Sequence, residues 1–232
     1  MKTLSHLLFV AVLASPAALA HMADDPLLAS LAFERLEWRA GPGDDPLAFS
    51  LDGWLGRDLH KLHLSAEGEV ADGAVHDGTV QLLYGHGVTP FWDVRVGWQG
   101  DLRPAPERHW LVLGIEGLAP GWIEVNASLL LGEGRAGLDL DVDHDLRLSR
   151  HWVLTPSLEA RLYDSADRAA GTGAGLAETE LGLRLRYEIR PDLAPYVGIH
   201  HQRLHGGSAG YARERDERVS TTSVVVGVRL WF

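Results

Sequence analysis

Four aspartates, Asp139, Asp141, Asp143 and Asp145, occupy every second position of one short stretch. In an extended chain that spacing puts all four on one face, about 6.6 Å apart in succession. Like charges in such a row repel one another and invite a cation. Glu124 lies in the segment before them, and Glu159 with Arg161 in the segment after. Glu180, Arg184, Arg186 and Glu188 follow with the same alternation. Histidine is the second chemical signal. His60 and His63 lie in DLHKLHL, His76 and His86 flank the next segment, His200 and His201 are adjacent, and His205 follows. By parity His63 and His200 share a face with Glu67, Gln202 and Tyr196. Imidazole with carboxylate suits copper or zinc. His63, Glu67, Glu124, Asp139, Asp141, Asp143, Glu188 and His200 are therefore candidate ligands. Cysteine is absent, which excludes thiolate sites and disulfides. Beyond Met1 there is one methionine, Met22, so no thioether cluster for Cu(I) exists, and were the ion copper, Cu(II) would fit better than Cu(I). No C-x-x-C or H-E-x-x-H motif is present, and no G-x-S-x-G, P-loop or dinucleotide fingerprint. Ser65 shares a face with His63, but a hydrolase site on that basis is the weakest reading, and no enzyme is expected.

The segments that carry these residues alternate throughout. Leu138, Leu140, Val142, Leu146 and Leu148 interleave with the aspartates, His144 being the polar exception. Leu181, Leu183, Leu185, Tyr187 and Ile189 interleave with Glu180, Gly182, Arg184, Arg186 and Glu188. The chain ends the same way: Val224, Val226, Val228, Leu230 and Phe232 alternate with Ser223, Val225, Gly227, Arg229 and Trp231. Period two means strands with one apolar and one mixed face. Counting them gives 31–38, 47–55, 59–69, 75–84, 91–100, 108–118, 121–131, 137–149, 152–163, 177–190, 194–204 and 219–232. That is 12 strands, with 10 as the alternative because the first four are poorly patterned. Turn residues separate them, as in Gly-Pro-Gly-Asp-Asp-Pro (41–46) and Ala-Pro-Gly (119–121). Residues 164–176 and 205–218 read as longer loops.

Alternation alone does not say which face is inside. Three features select a membrane barrel, apolar outside and polar within. The strands run about 9 to 13 residues, the length that crosses lipid at a tilt. Aromatics sit near strand ends, at Trp38, Trp54, Phe91, Trp92, Trp110, Trp122, Trp152, Tyr163 and Trp231, as in interfacial girdles. Residues 1–20, MKTLSHLLFVAVLASPAALA, read as a secretory signal peptide, with Lys2, a short apolar run and Ala18-Leu19-Ala20 before the cut. The expected architecture is an all-β transmembrane antiparallel barrel over 31–232 in the outer membrane of a Gram-negative bacterium. A short periplasmic tail, 21–30, precedes it. An even strand count puts both ends on the periplasmic side and the loops 164–176 and 205–218 outside. Without Lys2 there are 20 basic against 32 acidic residues, a formal charge of -12. That excess excludes nucleic acid as a partner and suits a cation-attracting lumen. The same charges also serve to plug a small barrel with salt bridges.

Several stretches carry a family resemblance: FERLEWRAG (33–41), GWLGRDLHKLHLSAEGE (53–69), LLYGHGVTPFWDVRVGWQGD (82–101), LGIEGLAPGWIEV (113–125), ELGLRLRYEIRPDLAPYVGI (180–199) and VGVRLWF (226–232). Over residues 31–232 the chain resembles the copper resistance protein B family of bacterial outer-membrane proteins. The resemblance implies a copper-binding barrel in copper resistance and homeostasis, passing or sequestering the ion, with outer-membrane lipid, copper ions and a periplasmic copper protein as partners. It also directs attention to barrel residues as ligands, namely His60, His63, Glu67, Asp93, Glu124 and Glu188. Two departures stand out. The family's Met- and His-rich N-terminal extension has no counterpart in the roughly 10 residues between the expected cleavage and the first strand. Gly121 also stands where an aromatic is usual after Gly-Leu-Ala-Pro. A generic narrow cation pore or a structural barrel is the alternative function.

Overall fold

The computed structural model describes residues 25–42 and 45–232. The expected signal peptide, 1–20, lies outside the described residues.

The alternating segments form one closed antiparallel barrel of 12 staves. Its strands are β1 (Leu28–Ala40), β2 (Leu47–Gly56), β3 (His60–Ala71), β4 (Ala74–Thr89), β5 (Trp92–Arg103), β6 (Arg108–Ala119) and β7 (Ile123–Gly132). They continue as β8 (Arg135–His144), β9 (Leu146–Arg147), β10 (Trp152–Tyr163), β11 (Gly175–Tyr187), β12 (Leu193–Leu204) and β13 (Ser220–Trp231). β8 and β9 are one stave interrupted at Asp145, both pairing with β10. β1 pairs with β13, so the first and last strands close the cylinder and no edge is left open.

Closure satisfies the backbone inside lipid, and the alternation then fixes which side chains face which way. Leu111, Leu113 and Ile115 on β6 are exposed on the outer wall, as are Val224 and Val226 on β13. The opposite parity faces the interior. β1 is the exception. Its register with β2 steps from Phe33↔Leu51 to Arg35↔Ser50, so Glu34 is an extra, bulged residue. The bulge turns both Glu34 and Arg35 inward, where they meet Arg229 and Glu159 respectively.

Some boundaries differ from the sequence reading. β1 begins at Leu28, inside the stretch expected to be tail. β11 ends at Tyr187, leaving Glu188 in the turn beyond it. The stretch 205–218, expected to be loop, contains a helix, α1 (Gly206–Glu214). The helix is short and has no broad apolar stripe; it buries only Ser208, Ala209 and Ala212.

The interior is not uniformly polar. Leu83, Val112, Leu130 and Trp110 are buried together inside the barrel, with Tyr163 packed against them. Trp110 and Tyr163 are thus core residues rather than girdle residues, because their parity matches the inward positions. Trp54 and Trp231 likewise line the interior cavity. Trp38 and Trp122 do stand exposed.

Above this cluster the loop between β10 and β11 is pinned across the barrel end. Arg108 donates to Asp167 from Nε at 2.7 Å, and Arg135 donates from Nη1 at 3.0 Å. Ser208 on α1 accepts the Gly173 N–H at 2.8 Å. Burial disfavours the Asp167 carboxylate. The Arg108 hydrogen bond, the Ala170 N–H and the two guanidinium charges outweigh it and hold the carboxyl below its ordinary range. A carboxyl whose folded pKa is depressed stabilises the folded form above its unfolded value of about 3.9. That contribution is lost as pH falls through the lower, folded value. Acidification is therefore expected to release residues 164–174. Limited proteolysis across a pH series reads this, and Asp167→Asn is expected to show the loosened pattern already at neutral pH. Equal protection of this loop in the variant and the parent would refute the pin.

Candidate functional site

Below the apolar cluster lies a cavity of about 790 Å³. It reaches the turns at the end where β1 begins and β13 ends, touching Pro90, Phe91, Leu118 and Trp231. In outer-membrane barrels the short turns and the termini face the periplasm. A second cavity of about 40 Å³ lies further in. Arg35, Glu67, Glu159 and Arg161 line both and so form the partition between them. Arg35 donates to Glu159 at 2.5 Å and stands 3.6 Å from Glu67. Arg161 stands 3.6 Å from both Glu67 and Glu178. Part of the sequence's charge therefore does plug the lumen.

Neighbouring strands extend the network. Arg184 of β11 and Arg39 of β1 both donate to Glu37, which is fully buried. Tyr196 donates to the same carboxylate at 3.0 Å. His200, 4 % exposed, pairs with Glu180 at 2.9 Å, and Arg39 also pairs with Glu69.

The opposite wall of the larger cavity is different. β7, β8 and β10 place carboxylates directly across from carboxylates: Glu124 faces Asp143, and Asp141 faces Glu159. Like charges at facing positions destabilise a sheet, so the arrangement has an electrostatic cost. Among the described residues, Glu124, Asp139, Asp141 and Asp143 have no basic partner within 4 Å. Oδ1 of Asp139 is buried without a hydrogen bond, and so is Nε2 of His63. Both side chains line the same cavity. A buried, unpartnered polar atom of this kind costs about 1–3 kcal/mol, more when charged.

The candidate ligands thus separate into groups. His63, Glu124, Asp139, Asp141 and Asp143 line the open cavity. Glu67 belongs to the partition. Asp93 also lines the cavity but stands 3.6 Å from Lys61. Glu188 sits at the rim, 3.0 Å from Arg147, and His200 is committed to Glu180. His60 lies apart from the cavity. Three residues from His63, it has the opposite parity and is exposed on the outer wall beside Tyr84. Among the described residues no three His, Asp or Glu side chains are gathered closely enough to hold a metal ion. Sequence reasoning passed over Glu37 and Arg35, both on β1, where the bulge breaks the alternation.

The profile of the copper resistance protein B precursor (CopB) family matches residues 27–232. The chain belongs to the copper resistance protein B family. It is 41 % identical over 200 residues to a copper resistance protein B homolog of Pseudomonas syringae pv. tomato, covering 86 % of this chain and 68 % of that one. Copper resistance protein B of Escherichia coli is 36 % identical over 200 residues, with the same coverage. Among solved structures, the NanC porin superposes with a TM-score of 0.58 at 14 % identity, over 88 % of this chain and 99 % of the porin. That likeness concerns the fold. Family and fold together place the protein in the Gram-negative outer membrane as a closed β-barrel.

Proposed function

We propose that this CopB-family barrel handles copper in resistance and homeostasis, receiving Cu(II) in its acidic cavity from the periplasmic side. The observation that carries the reading is the pair of unpartnered atoms, Asp139 Oδ1 and His63 Nε2, in one cavity with Asp141, Asp143 and Glu124. A divalent cation would relieve the repulsion along that wall and supply Asp139 with its missing partner, whereas His63, whose Nδ1 accepts from Arg95 at 3.4 Å, must turn its ring to ligate. Imidazole and carboxylate donors without thioether favour Cu(II) over Cu(I). The ligand set is dispersed, which suits passage or loose sequestration better than tight storage, since a conducting site must also release its ion. Residues 1–20 act on this reading as the signal peptide that directs export, 21–27 as a periplasmic tail, and a periplasmic copper protein as the donor.

Titrating the purified barrel with Cu(II) tests the proposal. Replacing Asp139, Asp141 and Asp143 together with Asn is expected to abolish cavity-bound copper. His63→Ala is expected to weaken it by roughly tenfold or more, the scale on which coordination sites respond to lost support. Unchanged stoichiometry and affinity in the triple variant would defeat the proposal. The partition, which plugs the lumen, supports one alternative, a structural barrel with no copper role; Cu(II) binding no tighter than that of other divalent cations would favour it.

A further inference from the structure

The outer wall carries a second arrangement of metal-ligating side chains, separate from the cavity. His60 opens β3 and His86 lies near the end of β4, and the two are direct cross-strand partners. Side chains at such positions have Cβ atoms about 4.5–5.5 Å apart and point the same way. Their ring centres are 4.7 Å apart. A metal–nitrogen bond is about 2.0–2.1 Å. With about 1.2 Å more from nitrogen to ring centre, two imidazoles at right angles on one ion hold their centres about 4.6 Å apart. The observed spacing is the one such a pair needs.

The outward nitrogens are also prepared for it. Nδ1 of His86 lies 3.1 Å from the Leu59 carbonyl oxygen. A carbonyl only accepts, so Nδ1 carries the proton and Nε2 is left as a bare lone pair. Nδ1 of His60 lies 2.5 Å from the Tyr84 hydroxyl, which can accept its proton in the same manner. An imidazole whose inner nitrogen is held while the outer one is free has the support that metal-bound histidines have. His60 and Tyr84 are exposed and His86 half-buried, so the rings can rotate until the two free nitrogens converge.

We propose that His60 and His86 form a two-imidazole site for a borderline divalent cation, Cu(II) above Ni(II) or Zn(II), on the outer face of the barrel at its periplasmic rim. The ranking follows the general affinity order of nitrogen sites, and water completes the coordination. The site depends on none of the cavity carboxylates, so it stands or falls apart from the cavity reading. Tyr84 is a positioning residue that acts through His60.

Cu(II) paramagnetic resonance and titration on the full barrel, with the Asp139, Asp141 and Asp143 carboxylates intact or replaced by Asn, test it. In both backgrounds a copper signal coupled to two nitrogens is expected. His60→Gln or His86→Gln is expected to reduce that coupling to one nitrogen and weaken the site at least roughly tenfold. Tyr84→Phe should weaken it less and keep two nitrogens. All three side chains face outward, and retained heat-modifiable gel migration confirms that each variant still folds. A two-nitrogen signal that survives either histidine substitution overturns the rim site. So does a signal that vanishes with the cavity aspartates alone. Loss of aspartate-dependent copper with the rim signal kept bears only on the cavity.

Discussion

Replacing Glu37 with Leu is expected to destabilise the barrel by about 3–5 kcal/mol, the cost of stripping one partner from a buried ion pair. Its two oxygens accept four hydrogen bonds: from Arg39 Nε at 3.0 Å, from Arg184 Nε and Nη2 at 2.9 and 2.8 Å, and from Tyr196 at 3.0 Å. Those bonds fill the acceptor capacity of a carboxylate, and the side chain has no exposure to water. They also tie β1 to β12 and β11 across β13, where the cylinder closes. Loss of the carboxylate leaves Arg184 with a buried charge whose remaining partner is the Ser157 hydroxyl at 3.3 Å. Glu37→Gln is expected to fall between the two, because its amide turns a donor toward a guanidinium. The double change Glu37→Leu with Arg184→Leu should recover much of the loss, since a buried pair replaced by apolar groups often costs little. Urea unfolding of the barrel in lipid vesicles, followed by tryptophan fluorescence, measures all three. A loss below about 1 kcal/mol for Glu37→Leu, the value of an ordinary hydrogen bond, would show that the closure does not depend on this carboxylate.

Glu37 also shows where local patterning stops informing. A barrel built of alternating strands exposes its plan in the sequence, and the span 152–163 coincides with β10 for that reason. β1 hid its inward face because the bulge at Glu34 inserts one residue and switches parity midway. FERLEWRA then reads as scattered charge instead of two short inward runs. The helix α1 was hidden for another reason. Its Gly-Gly start and small buried residues satisfy a close approach to Gly173, which needs no apolar stripe. His60 was legible: residues three apart on one strand cannot share a face, and the parity that placed His63 inside places His60 outside. The acidic row Asp139–Asp143 was read from spacing alone. Which of its neighbours would be neutralised was not, because Arg35 reaches Glu159 across 124 residues of chain. The partner of an inward charge depends on strand register around the whole cylinder, and that is not local information.

The largest functional effect is expected from Arg35→Ala combined with Arg161→Ala. These two side chains hold the partition, and the same residues separate the cavity of about 790 Å³ from the smaller one beyond it. Each guanidinium bridges carboxylates from different strands: Arg35 joins Glu67 to Glu159, and Arg161 joins Glu67 to Glu178. Truncating both shortens the plug and removes the two positive charges a cation would have to pass. Glu67, Glu159 and Glu178 would remain, continuous with the acidic wall of Asp139, Asp141 and Asp143. A ring of fixed negative charge in a narrow pore selects cations. In planar bilayers the parent barrel is expected to show background current, and the double variant discrete, cation-selective steps. High salt should blunt the selectivity, because screening shortens the reach of the carboxylates. The two arginines also hold the wall rigid, so heat-modifiable gel migration must confirm that the variant is folded. A folded double variant with unchanged conductance would show that closure lies elsewhere, in the cluster around Trp110 and the loop pinned by Asp167. In that case Asp167→Asn, and not the partition, should open the barrel.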